Sequence, residues 1–163
     1  ERDIDLTSKE RLGHISGAVL MTRLELLDTR DCVYEYEDAI AFRVTMRCQA
    51  DVQNATMRFE IANAHGLVGL TFTEVFAREM CAGETYRVTM SFAGHCLTPG
   101  SYQAHISVGS GNSFEGISTF DGVYPAFAFE MLARRRDGLR EGWRDSWGGT
   151  HLPPPQALVF ERI

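Results

Sequence analysis

From Gly17 to Leu132 apolar and polar side chains alternate with a period of two, and the period never lengthens to that of a helix. In "AIAFRVTMRC" Ile40, Phe42, Val44, Met46 and Cys48 share one side, with Arg43, Thr45 and Arg47 on the other. "ATMRFEIAN" sets Met57, Phe59 and Ile61 against Arg58 and Glu60, and "LVGLTFT" sets Val68, Leu70 and Phe72 against Gly69, Thr71 and Thr73. "TYRVTMSF" and "LTPGSYQAHISVG" continue the pattern, the latter with Tyr102, Ala104, Ile106 and Val108 inward and Gln103, His105 and Ser107 outward. An earlier strand reads out of "SGAVLMTRLELLD" and a last one out of "YPAFAFEML". The turn signals "NAHG", "CAGE" and "TPGS" separate them, each with a glycine where positive φ is useful.

Each run is apolar on one face only, so two such faces must close on one another. The pattern therefore predicts an all-β fold: an antiparallel β-sandwich, jelly-roll or immunoglobulin-like, of seven to eight strands with little helix. In an immunoglobulin-like order the third, fourth, sixth and last strands share one sheet. Three regions follow. Residues 1–13 are charged and aperiodic and read as a linker or N-terminal arm, with a short helical turn suggested by Thr7 and Glu10 in capping-box spacing. Residues 14–132 form the sandwich. Residues 133–163 are a C-terminal extension rich in charge, Gly and Pro, whose "ALVFERI" end suits an edge strand or one exchanged with another chain.

Composition narrows the function. The chain has 163 residues, 44% hydrophobic and 23% charged, with a net charge of -6. No apolar run approaches the roughly 20 residues of a membrane span, and an acidic chain lacks the basic field that nucleic-acid binding requires. Cys32, Cys48, Cys81 and Cys96 form no C-x-x-C pair and read as reduced thiols, with two disulfides the alternative. His14, His65, His95, His105 and His151 show neither H-x-H nor H-x-x-x-H spacing, so no metal site is expected. A nucleophile elbow, a P-loop and a dinucleotide glycine run are all absent from the sequence, and Glu35 and Glu37 read as solvated. The expectation is a non-catalytic protein without a cofactor.

What carries chemistry is the outward row of the third, fourth, sixth and last strands: Arg58, Glu60, Thr71, Gln103, His105, Ser107 and Glu130. Guanidinium, carboxylate, amide, imidazole and hydroxyl groups on a fixed pleat match the donor-acceptor hydroxyls of a sugar, since charged and amide groups hold two neighbouring hydroxyls at once. The alternative is the wet side of an ordinary antiparallel sheet. Phe114, Phe120 and Tyr124 near the rim are either sugar-stacking aromatics or core residues, and Trp143 and Trp147 either stack on sugar or cover a sheet edge.

In order along residues 11 to 132, "RLGHISGAVLMTRLELLD", "EDAIAFRVTMRCQA", "MRFEIANAHGLVGLTFT", "CAGETYRVTMSF", "LTPGSYQAHISVG" and "FDGVYPAFAFEML" resemble the Wzt C-terminal family. This is the C-terminal domain of the ATP-binding subunit of O-antigen polysaccharide ABC transporters. The most telling pieces are Gly83-Glu84, the Pro99-Gly100-x-Tyr102 turn and the strand–Gly66–strand unit. The resemblance implies a carbohydrate-binding module that recognises the bacterial O-antigen of lipopolysaccharide and gives the exporter its substrate specificity. The sugar would lie on the concave sheet face, in a homodimer that exchanges its C-terminal segment. It further implies a cytoplasmic location, peripheral to the inner membrane through the transporter, and an upstream ATP-binding domain. Two alternatives accompany it: a structural or dimerisation domain, and a glycan-binding appendage of a glycosyltransferase or methyltransferase.

Overall fold

The computed structural model describes residues 2–27, 29, 31–112, 116–144 and 148–150. Among them there is no helix. One sheet takes the order β1 (Arg2–Asp5), β2 (Val19–Leu26), β4 (Ile40–Cys48), β8 (Thr85–Phe92), all antiparallel. The second runs β3 (Val33–Tyr34), β10 (Gly116–Met131), β9 (Gly100–Asn112), β5 (Val52–Asn63), β6 (Gly66–Phe72), with β7 (Ala77–Met80) also paired to β5. Its third, fourth, sixth and last long runs are thus the ones the immunoglobulin-like order assigns to one sheet. The two-residue β3 is the exception to antiparallel pairing, since it lies parallel to the end of β10. A small hairpin, β11 (Arg135–Arg136) with β12 (Leu139–Arg140), follows the sandwich.

The alternation explains the closure. Phe42, Val44 and Met46 on one sheet and Met57, Phe59, Ala104, Ile106 and Phe127 on the other are buried between the layers. Aromatic rings tie the layers together: Phe59 stacks on Phe92 with centroids 4.6 Å apart, and Phe42 meets Phe59 at 5.2 Å and Phe127 at 5.7 Å. Each of these buried side chains other than Ala104 contributes about 1.5–3 kcal/mol of transfer free energy.

The N-terminal arm packs on the sandwich. Arg2–Asp5 pairs with β2, and Leu6 is fully buried. Residues 7–9 form a turn rather than a helix, because the Asp5 carboxylate accepts from the Thr7 amide at 2.8 Å and the Thr7 hydroxyl at 2.6 Å. The chain then crosses to the second sheet. Arg11 bridges Val123, and the amides of Leu12, Ser16 and Gly17 donate to the carbonyls of Gly122, Thr119 and Phe120. Asp121 locks this crossing. Fully buried, it accepts from the Met21 amide at 2.7 Å and lies 3.2 Å from the Arg11 guanidinium. "ALVFERI" and Trp147 lie outside the described residues.

Candidate functional site

The antiparallel register decides which side chains share the outer face of the second sheet, because residues directly opposite one another point the same way. Arg58 faces Ser107 and Glu60 faces His105 across the β5/β9 ladder, with Gln103 opposite Ala62. On the other flank of β9, Gln103 faces Ala128 and Ser107 faces Gly122. Between Val123 and Phe127 the β10 register shifts, and the bulge brings the Tyr124 ring to 4.5 Å from that of His105. Six of the candidate residues are thereby collected together on one face, Arg58, Glu60, Gln103, His105, Ser107 and Tyr124, with Glu130 further along it opposite Ser101.

Thr71 is the exception. It lies opposite Phe59, and Thr73 meets Met57, so both belong to the inner side of the sheet. Leu70 and Phe72, the apolar half of β6, instead share the outer face with Glu60 and Arg58. At this edge the inner side runs out beyond the core, and Thr71 remains exposed there. The Thr73 hydroxyl completes the ladder by accepting from the Met57 amide at 2.9 Å. Phe72 gains a partner on the outer side, its ring centroid lying 5.8 Å from the Arg58 guanidinium carbon.

The six residues do not form a uniformly wet row. Glu60 is buried, ion-paired with Arg58, and accepts a hydrogen bond from the Tyr124 hydroxyl. Burial, reinforced by that bond to a carboxylate, pushes the Tyr124 phenol up to about 12, while a bond from Ser107 works the other way. Ser107 is 3% exposed, and Leu12 helps to cover it. A Cβ on Gly122 would stand 2.6 Å from the Leu12 Cδ1 and 3.4 Å from the Ser107 Cβ. The His105 imidazole is held below its ordinary range by burial, opposed in part by the charge of Glu60. Its Nε2 and the Arg58 Nε are buried with no hydrogen-bond partner. Arg58, half-open to solvent, and Gln103, exposed, are therefore the groups of this face that reach outward.

Beside the cluster the face opens into a groove of about 800 Å³, lined among others by Ser101, Gln103, Ala128 and Glu130 on the sheet and by Asn63 and Ala64 at the β5–β6 turn. Its far wall is Arg2, Ile4 and Lys9 of the arm. None of these wall residues is signalled by periodicity, since the arm carries no apolar alternation. Phe120 is packed against the core, whereas the side chain of Phe114 lies outside the described residues. Trp143 donates to the Gly148 carbonyl at 3.1 Å, and that segment docks on Thr98 and Tyr102 at the sheet's end. Among the described residues no group of three or more His, Cys, Asp or Glu is placed to hold a metal ion, and the four cysteines are free thiols.

A crystal structure of the C-terminal domain of Wzt superimposes with a TM-score of 0.70 at 12% identity, over 96% of this chain and 90% of that one. At that identity the likeness establishes the fold. A Pseudomonas fluorescens alkylpurine DNA glycosylase bound to abasic-site DNA (TM-score 0.48, 16% identity, 72% of this chain and 31% of that one) is a weaker match. So is a Listeria innocua β-glucosidase in complex with glucose (0.40, 14%, 68% and 16%), and neither supports an argument. No curated protein sequence matches the chain. The Wzt C-terminal domain model, by contrast, matches residues 12–141, which is most of the sandwich together with the hairpin after it, and the chain belongs to that family.

Proposed function

We propose that this domain binds the O-antigen polysaccharide of lipopolysaccharide on the outer face of its second sheet, without catalysing a reaction, and so selects the glycan carried by an ABC exporter. The carrying observation is the convergence of Arg58, Gln103, His105 and Tyr124 on one face beside an open groove. Membership of the Wzt C-terminal family supports the polysaccharide as the ligand. The same reading, resting on family membership, puts the domain beside the bilayer on the cytoplasmic side, through an ATP-binding partner domain. Homodimerisation through the C-terminal segment belongs to the same reading.

The ion pair with Glu60 holds the Arg58 guanidinium at this face, and Gln103 presents an amide able to donate to and accept from adjacent hydroxyls. Exchange of water hydrogen bonds for sugar ones gains little per contact. A dissociation constant between about 1 μM and 1 mM follows, roughly -8 to -4 kcal/mol. Isothermal titration with the O-polysaccharide of the source strain tests this. Gln103→Ala should weaken binding by about 0.5–1.5 kcal/mol, roughly two- to twelvefold, with an unchanged melting temperature. Neither heat nor chemical-shift change at millimolar glycan would reject the proposal.

A further inference from the structure

We infer that the groove between the N-terminal arm and the second sheet is a subsite for an uncharged stretch of polysaccharide, with Arg2 and Lys9 of the arm as binding residues. The inference rests on the glycan-binding reading above and extends it to a segment lying before the family match, which begins at residue 12. At about 800 Å³ the groove has the volume of a small-molecule pocket. It spans the sheet from β3 across β10 and β9 to the end of β5. Three strand spacings make that about 14 Å. It is continuous with the cluster, because Gln103 lines the groove and His105 lies two residues further along the same face of β9.

Charge selects the ligand class. The acidic and basic side chains of the lining are two cations, Arg2 and Lys9, and two anions, Asp31 and Glu130. The neighbouring Arg58 is matched by Glu60. A ligand carboxylate or phosphate would meet no surplus of cations here, and the net charge of -6 on the whole chain opposes its approach. A neutral sugar loses nothing by this balance. Lysine, guanidinium, carboxylate, the Gln103 amide and the Ser101 hydroxyl supply donors and acceptors to its hydroxyls, and Ala128 lies among them on the floor.

The test is titration of the full chain with the O-polysaccharide of the source strain, released by mild acid and sized to four or more repeats. Ser101→Trp fills the groove from an exposed position and leaves the Arg58 cluster intact. It should weaken binding at least tenfold, and Lys9→Ala about threefold, both with unchanged melting temperature. Amide shifts on binding should include residues 2–9. Raising salt from about 50 to 500 mM should change the dissociation constant less than twofold, because no net ion pairing is screened. Wild-type binding that Ser101→Trp leaves untouched, without shifts in residues 2–9, overturns the subsite while leaving glycan binding standing. A fall of tenfold or more with salt overturns the uncharged ligand. Failure of the wild type to bind at all would instead be the failure of the broader reading.

Discussion

Asp121 is the residue on which the arm's crossing between the sheets depends. Replacing it with alanine removes the acceptor of the Met21 amide at 2.7 Å and of the Gly122 amide at 2.8 Å, and strips the partly buried Arg11 of its partner at 3.2 Å. Removing one member of a buried pair costs about 3–5 kcal/mol, because the other charge and the orphaned donors stay desolvated. For 163 residues each kcal/mol lowers the melting temperature by about 2–4 °C, so Asp121→Ala should melt roughly 6–20 °C lower. Differential scanning calorimetry at pH 7 measures this. The pH dependence adds a sign. Burial outweighs Arg11 and the amides and raises the Asp121 pKa, so the folded state holds this proton more tightly than an unfolded carboxyl titrating near 3.9. The stability it adds is full below that value and is lost as pH rises through the folded pKa. The gap between wild type and Asp121→Ala should therefore be widest in acid and narrow as pH rises through that window. A melting temperature within about 2 °C of wild type at every pH would refute the assignment of Asp121 as the lock.

Two further outcomes follow from the same geometry. The His105 imidazole, packed on Tyr124 and facing Glu60, has a lowered pKa, so the stability it contributes is present above 6.5 and is lost as pH falls through its folded pKa. Its NMR titration should fall below the free-imidazole value of about 6.5, and a midpoint above that would contradict its burial. Gly122→Val must push Leu12 from the face, at a cost of about 1–3 kcal/mol, and should speed hydrogen exchange of the Leu12 amide that donates to the Gly122 carbonyl. Retention of wild-type melting and protection would show that the arm does not rest there.

Strands β4, β5 and β9 were legible in the sequence because each has a second layer opposite it, and a two-residue period then maps directly onto inside and outside. Strand β6 was misread for the complementary reason. At the sheet edge the register shift between Ile61 and Ala62 turns Leu70 and Phe72 outward, and no periodicity carries that shift. The strand within the arm carries no sequence signal because "RDID" is a short, mostly exposed edge strand whose anchoring residues, Leu6 and Leu12, stand outside any alternation. The polar face was located correctly, but not its internal pairing. That Glu60 is buried depends on Tyr124, brought over it by a bulge in a distant strand.

The crossing of the arm has one more effect. Residues 11–17 occupy the flank of β10 near its start, and Tyr34 occupies it near its end. A strand from another molecule therefore finds the ladder along β10 already taken at both ends. Among the described strands of this sheet, β6 and β7 form the opposite border, each paired with β5 alone. Growth of the sheet by recruitment of foreign backbone is thus steered to the border farthest from the groove's outer wall, so that an added strand would lengthen the sheet without closing the mouth.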